Sequence, residues 1–308
     1  SLQPLAKKHQ LTPFELVVAT AFDHFADHQV EILVLEVGLG GRLDATTAHP
    51  LRPIIAIGGI GLDHCKYLGS TLKSIAKEKA AVITKGSKII SASQHPDVTQ
   101  IIEETAKRQN AEVQWVSPTP PEWSLGIKGE VQRKNAAVAV GALQALEIAG
   151  WKIDVPTIRE GLSQANWPGR LQKAYWQGFP VLIDGAHNAH AAEQLSKERI
   201  YWNHQETGVQ WILGIQRHKE APSILQNLLS PFDKAWLIPV PNHDSWNKTE
   251  LSKVCPELET QIIQEKNIEN VFKTLLSKDQ WPSPPPVIAG SLYLIGDLLS
   301  EEIIATKK

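Results

Sequence analysis

At 308 residues the chain is long for one hydrophobic core, and two domains are expected. A formal charge of −2 leaves no basic footprint for nucleic acid, and the only two cysteines, Cys65 and Cys255, suit neither a disulfide framework nor a metal cluster. No run approaches the roughly 20 apolar residues of a membrane span and no signal peptide is visible, so a reducing cytoplasm without a membrane partner is expected.

In chain order, a helix is predicted over Pro13–Ala26 and a strand over Ile32–Val37. Strands follow at Ile54–Ile60, Lys88–Ser91 and Val113–Val116, with helices over Thr71–Ile83 and Pro96–Arg108 between them. Apolar strands alternating with helices predict a parallel sheet covered on both faces. "SPTPPEW", residues 117–123, reads as a loop, and an alanine-rich helix follows over Arg133–Ala149. "NWPGRL", residues 166–171, brings Pro and Gly to the point where a second set of strands begins: Pro180–Ile183, Gln210–Leu213, Lys234–Val240 and Pro286–Ala289. The predicted division is therefore 1–167 and 168–308, both α/β. The chain contains no methionine and opens on Ser1, so a segment of a longer product is expected.

"LEVGLGGRLDATT", residues 35–47, closes the first predicted strand on Glu36 and then loosens the backbone at Gly38, Gly40 and Gly41. Ligands of open α/β sheets gather beyond the carboxyl ends of strands, where this carboxylate is placed. A strand-end glutamate paired with a nearby cation explains it equally well. A dinucleotide fingerprint does not, because Leu43 stands where the third glycine belongs. The next strand runs into "GGIGLDHCKYLG", residues 58–69, with Asp63 and His64. If the two strands are neighbours, Glu36 and His64 meet at one sheet edge as metal ligands; a merely exposed His64 is the plain alternative. Lys79 falls on the same helical face as Leu72, Ile75, Ala76 and Ile83. An inward lysine must be paired, neutralised or chemically altered, unless it snorkels along its stem. In "VLIDGAHNAHAAEQL", residues 181–195, a strand ends at Asp184, and His187 and Asn188 precede a helix starting near Ala191. Such a helix N-terminus favours anions. Arg170, after Pro168-Gly169, is positioned to meet a phosphate or is simply solvated.

These motifs, with "WPGRL" and "GSLYLIG" in the same order, resemble the folylpolyglutamate synthase/dihydrofolate synthase family of the Mur-ligase superfamily across nearly the whole chain. The resemblance implies a Mur-ligase-like central domain with a mostly parallel sheet and a C-terminal Rossmann-like α/β domain. It implies Glu36 and His64 as Mg²⁺ ligands, and Lys79 as a carbamylated lysine supporting the metal–phosphate site. Gln132 and Asn135 would lie near adenine, Arg170 on the ATP phosphates, and Asp184 and His187 near the ribose and the incoming amino group. Thr12, Phe14 and Asp44 fall where the family holds the pterin. The glycines after Glu36 would let the loop pass closely around nucleotide and pterin.

The activity so implied is ATP-dependent addition of L-glutamate to dihydropteroate or a folate through an acyl phosphate, by a monomer. Thr47, Gln172 and the missing Asp before Lys219 depart from the family pattern. No GxxxxGK[ST] occurs anywhere, so the 308 residues alone are expected to be inactive. The alternatives are another Mur-type amino-acid ligase, or a non-catalytic remnant that binds nucleotide or folate.

Overall fold

The computed structural model describes residues 2–202, 208–277 and 280–306. The chain folds as two compact units, Ser1–Ser117 with Ala137–Lys152 and Pro118–Ala136 with Ile153–Lys308.

The first unit contains α1 (Gln3–His9), α2 (Pro13–Asp27), β1 (Ile54–Ile57), α3 (Cys65–Leu68), α4 (Leu72–Ala80), β2 (Lys88–Ala92), α5 (Pro96–Arg108) and β3 (Glu112–Val116). It also takes the C-terminal part of α6 (Glu130–Ala145). The strands form a parallel sheet in the order β1-β2-β3. Alternation along β2 sends Ile89 to one face and Ile90 to the other. Ile89 packs with Ile75 and Ala76 of α4 and with Val98, Ile101 and Ile102 of α5, whereas Ile90 meets Val138 and Ala145 of α6. Helix α6 approaches so closely that a Cβ on Gly141 would lie 2.6 Å from Ile90 Cγ2.

One predicted strand is absent. Residues 32–37 form neither strand nor helix and join no ladder among the described residues, and Val34 is 88% exposed. β-branched composition favours an extended chain, but a strand exists only where a neighbour supplies its hydrogen bonds. Glu36 therefore does not close a buried strand; it is exposed. Helix α2 likewise buries none of its residues, although Thr12 and Glu15 form a complete capping box at its start.

The second unit follows with α7 (Val155–Gln164), β4 (Gln172–Trp176), β5 (Phe179–Ile183), α8 (Ala189–Lys197), β6 (Gln210–Leu213), α9 (Ala221–Leu228), β7 (Lys234–Leu237), α10 (Lys248–Val254), β8 (Ile262–Gln264), α11 (Ile268–Leu276), β9 (Val287–Ala289) and α12 (Leu292–Ser300). Its sheet runs β4-β5-β9-β6-β7-β8; β4 pairs antiparallel to β5 and every other pair is parallel. Trp211 and Leu213 join Ile224 and Leu225 of α9 on one face. Ile212 and Ile288 join Phe272 of α11 and Leu294 of α12 on the other. The doubly covered sheet expected from the apolar strands is thus present, with β4 and β8 added to the strands that composition alone marks.

Candidate active site

Asp44 organises the glycine-containing loop from within. It is buried, and its Oδ2 accepts the N–H groups of Gly38 and Leu39, each at 3.0 Å. Oδ1 accepts the N–H of Thr46 at 3.0 Å and its hydroxyl at 2.6 Å. Burial pushes this carboxyl up, but the hydrogen bonds from Thr46, Leu39 and Gly38 outweigh it and hold it below the usual carboxylate range. Phe14 packs on the same loop, its Cζ 3.2 Å from where a Cβ on Gly38 would stand. The Thr12 hydroxyl is engaged with Glu15 Oε2 at 2.8 Å. Of the three residues assigned to the pterin, Asp44 and Phe14 meet at this loop, where Phe14 offers a ring that is half exposed, while Thr12 caps α2 through Glu15.

At Gly41 the need for glycine comes from α4 rather than from a passing ligand. Its φ is +154°, and a Cβ there would lie 2.7 Å from Val82 Cγ1 and 2.8 Å from the Glu78 carbonyl oxygen. That carbonyl accepts the Arg42 N–H at 3.1 Å, and the Glu78 carboxylate pairs with the Arg42 guanidinium at 3.0 Å.

Glu36 makes no hydrogen bond or ion pair among the described residues, so its oxygens are open to a ligand. His64 starts α3 in the left-handed region at φ +51°, its Nε2 3.7 Å from Asp63 Oδ2. The loop that bears it is tied to β2's end by Gln94, whose amide bridges the Gly58 carbonyl at 2.8 Å and the Ile60 N–H at 3.0 Å. Among the described residues no three His, Cys, Asp or Glu side chains form a metal cage. The condition for Glu36 and His64 to meet at one sheet edge, neighbouring strands, is not met, because residues 32–37 join no ladder among the described residues; both side chains are exposed. Lys79 lies in the last turn of α4, half buried beside the buried Ala76 and Ala80, and its ammonium has no hydrogen-bond or ion-pair partner among the described residues.

In the second unit the turn after β5 converges with the segment before β4. Asp184 Oδ2 accepts the Leu171 N–H at 2.8 Å and Oδ1 accepts the Ala186 N–H at 2.9 Å. Gly185 N–H donates to the Gly169 carbonyl at 2.7 Å. Gln172, one of the departures from the family pattern, accepts the Gly169 N–H at 3.0 Å and so supports the same turn. Burial raises the Asp184 carboxyl above its usual range, against the pull of those two N–H donors and of the Arg170 charge beside it. His187 Nδ1 lies 2.8 Å from the Gly185 carbonyl oxygen. A carbonyl only accepts, so Nδ1 is the donor in this contact. Asn188 caps α8 by accepting the Ala191 N–H at 2.7 Å. Arg170, Asp184, His187 and Asn188 are thus collected at the carboxyl end of a parallel strand. On the first turns of α6, Asn135 donates to Gln132 Oε1 at 3.0 Å.

Sequence reasoning missed Glu130, Glu198, Arg199 and Asp233. Glu198 is only 6% exposed and accepts the Glu130 N–H at 2.6 Å. Arg199 and the fully buried Asp233 form a two-pronged ion pair. "KERIYW" reads as a solvated charged run, and no spacing in it marks these roles.

Residues 170–301 match the family described as "dihydrofolate synthetase, C-terminal domain". The folylpolyglutamate synthase of Mycobacterium tuberculosis, solved with ADP and AMPPCP, shares the fold at a TM-score of 0.82 and 24% identity, over 96% of this chain and 74% of that one. The folylpolyglutamate synthase of Thermotoga maritima aligns at 0.73 and 26%, over 98% of this chain and 73% of that one. Dihydrofolate synthetase of Saccharomyces cerevisiae is 33% identical over 336 aligned positions, 97% of this chain and 78% of the yeast protein. Identity of that order, sustained through both α/β units, places the chain in the dihydrofolate synthetase/folylpolyglutamate synthase family.

Proposed function

We propose that the protein is an ATP-dependent ligase that joins L-glutamate to dihydropteroate or to a reduced folate. The observation that carries this reading is the 33% identity to yeast dihydrofolate synthetase across 97% of the chain. The collected turn of Arg170, Asp184 and His187 supports it. In this reading the substrate carboxylate takes the γ-phosphoryl group of ATP, and the amino group of glutamate displaces phosphate from the resulting acyl phosphate.

Arg170 neutralises phosphate charge, held in place by a turn that Asp184 fixes from below. His187, its Nδ1 tied to the Gly185 carbonyl, takes a proton from the incoming ammonium group. Gln132 and Asn135 lie by the adenine, and Thr12, Phe14 and Asp44 shape the pterin end. Glu36 and His64 would be the residues to hold Mg²⁺, which would supply charge compensation for phosphoryl transfer. A carbamate on Lys79 turns an unpaired half-buried cation into a carboxylate analogue for that site. The cytoplasmic setting and the monomeric state belong to the same reading, whereas Gln132 and Asn135 lie in the second unit and not in a first unit that ends at a 167/168 joint.

The 308 residues contain no GxxxxGK[ST], and these residues alone are expected not to turn over. The test is glutamate-dependent ADP release with dihydropteroate or tetrahydrofolate, using protein made from the complete coding sequence. Activity should fall at least 100-fold in Arg170→Ala, in line with loss of a transition-state charge contact. ADP release that ignores the pterin substrate would overturn the assignment.

A further inference from the structure

A pocket of about 390 Å³ opens in the second unit between the 121–130 segment and the turn carrying Glu198, Tyr201 and Trp202. Its size is that of a small-molecule site. Aromatic walls come from Trp123, Tyr201 and Trp202, and carboxylates from Glu130 and Glu198.

The cations around it are already occupied. The Arg133 guanidinium donates to the carbonyls of Pro120, Pro121 and Trp123 at 2.8, 3.0 and 3.3 Å, and Lys128 Nζ donates to the Leu125 carbonyl at 2.8 Å. The Glu130 carboxylate is paired with Arg133 at 3.7 Å, which leaves Glu198 as the acceptor. Glu198, more than nine-tenths buried, uses Oε1 for the Glu130 N–H at 2.6 Å, and its Oε2 accepts no hydrogen bond among the described residues. Burial first, then the charges of Glu130 and Asp184, push this carboxyl up, with the hydrogen bond pulling the other way. Glu198 lines the pocket, so Oε2 is an acceptor that a ligand entering there can reach.

Position separates this pocket from the residues assigned to adenine. At about 100° per residue, Glu130 and Arg133 share one face of α6 and Gln132 and Asn135 the opposite one. Only Glu130 and Arg133 line the cavity.

We propose that the pocket is a second ligand site, taking a planar heteroaromatic ring that bears an exocyclic amine, with the ring between the aromatic walls and the amine donating to Glu198 Oε2. Stacking on Trp and Tyr supplies sequence-independent affinity for any such ring, and the carboxylate selects the donor edge. Free pterin and adenosine share this chemistry, and comparing them distinguishes a pteridine source from a purine source.

The experiment is isothermal titration of the folded protein with pterin and, separately, with adenosine. Glu198→Gln keeps the side chain's size and an acceptor for the Glu130 N–H. It should weaken binding of the preferred probe at least tenfold. Trp123→Leu, on the opposite wall, should weaken it several-fold. Binding of the preferred probe that survives both Glu198→Gln and Trp123→Leu would overturn the proposal. So would the absence of measurable binding by either probe at millimolar concentration.

Discussion

Asp233 shows how one carboxylate is kept charged in a core. It is fully buried, and burial pushes its carboxyl upward. Two hydrogen bonds from Arg199, two from the backbone N–H groups of Val209 and Ser230 and one from the Trp211 indole outweigh that and hold it below its usual range. A carboxyl whose folded pKa is depressed stabilises the fold above the ordinary carboxylate range, and that contribution is lost as pH falls through the folded value. Arg199→Ala leaves the charge buried and its strongest donor gone, at a cost of about 3–5 kcal/mol near neutral pH. The same change should flatten the acid limb of the stability profile, because less depression of the Asp233 pKa remains to be lost. Urea melts between pH 7 and pH 3 check both. Parallel profiles for the wild type and Arg199→Ala would show that the pair contributes no pH-dependent stability. None of this was legible in the sequence: Asp233 follows a Pro-Phe loop and reads as a solvated turn residue. Asp184 was legible, because a carboxylate at the end of an apolar run is itself the signal.

Elements were recovered from sequence where the partner that stabilises them is regular. Helix α5 and strand β6 stand where periodicity places them, since each packs on a continuous sheet. The run 32–37 has the right composition for a strand and no ladder, because pairing is a property of two segments and only one of them is in view to a local pattern. Strands β4 and β8 escaped for the converse reason: "QKAYW" and "IIQ" are short and partly polar, and the sheet recruits them by hydrogen bonding. The glycine loop carries the sharpest expectation at this scale. In Gly41→Ala a Cβ must displace Val82 Cγ1 and the Glu78 carbonyl oxygen, 2.7 and 2.8 Å away, at a φ of +154°. The substitution should cost about 2–3 kcal/mol, from backbone strain and overpacking together. Gly86→Ala provides the control. There φ is also positive, but nothing lies within 4 Å, so only the strain of about 1–2 kcal/mol is expected. Thermal melts of both variants settle the matter; equal losses would mean that contact with α4 does not constrain the loop.

At the scale of the whole molecule, the chain's division into units differs from its linear order. Residues 118–136 precede the Pro-Gly joint at 168–169 but fold with the segment that follows it. The links are specific. Glu198 accepts the Glu130 N–H at 2.6 Å, and a Cβ on Gly129 would touch both Glu198 and Leu171. Gly126 N–H donates to the Leu162 carbonyl at 2.9 Å, joining the same segment to α7. A linear reading cannot see this, because Pro and Gly mark a bend without saying which neighbours the bend separates. A protein beginning at residue 168 therefore loses the donor that Glu198 uses and uncovers one wall of the pocket. One beginning at residue 118 keeps both. Loss of a hydrogen bond to a carboxylate costs about 1.5–3 kcal/mol, and in a unit of this size each kcal/mol moves Tm by roughly 2–4 °C. Residues 118–308 should therefore melt at least about 3 °C above residues 168–308 when both are followed by circular dichroism at equal concentration. Glu198→Ala within 118–308 should remove much of that difference, because the link then has no acceptor. If residues 168–308 melt as high as the longer fragment, residues 118–136 add nothing to that unit's stability. The joint at 168–169 would then be the true boundary of the C-terminal fold.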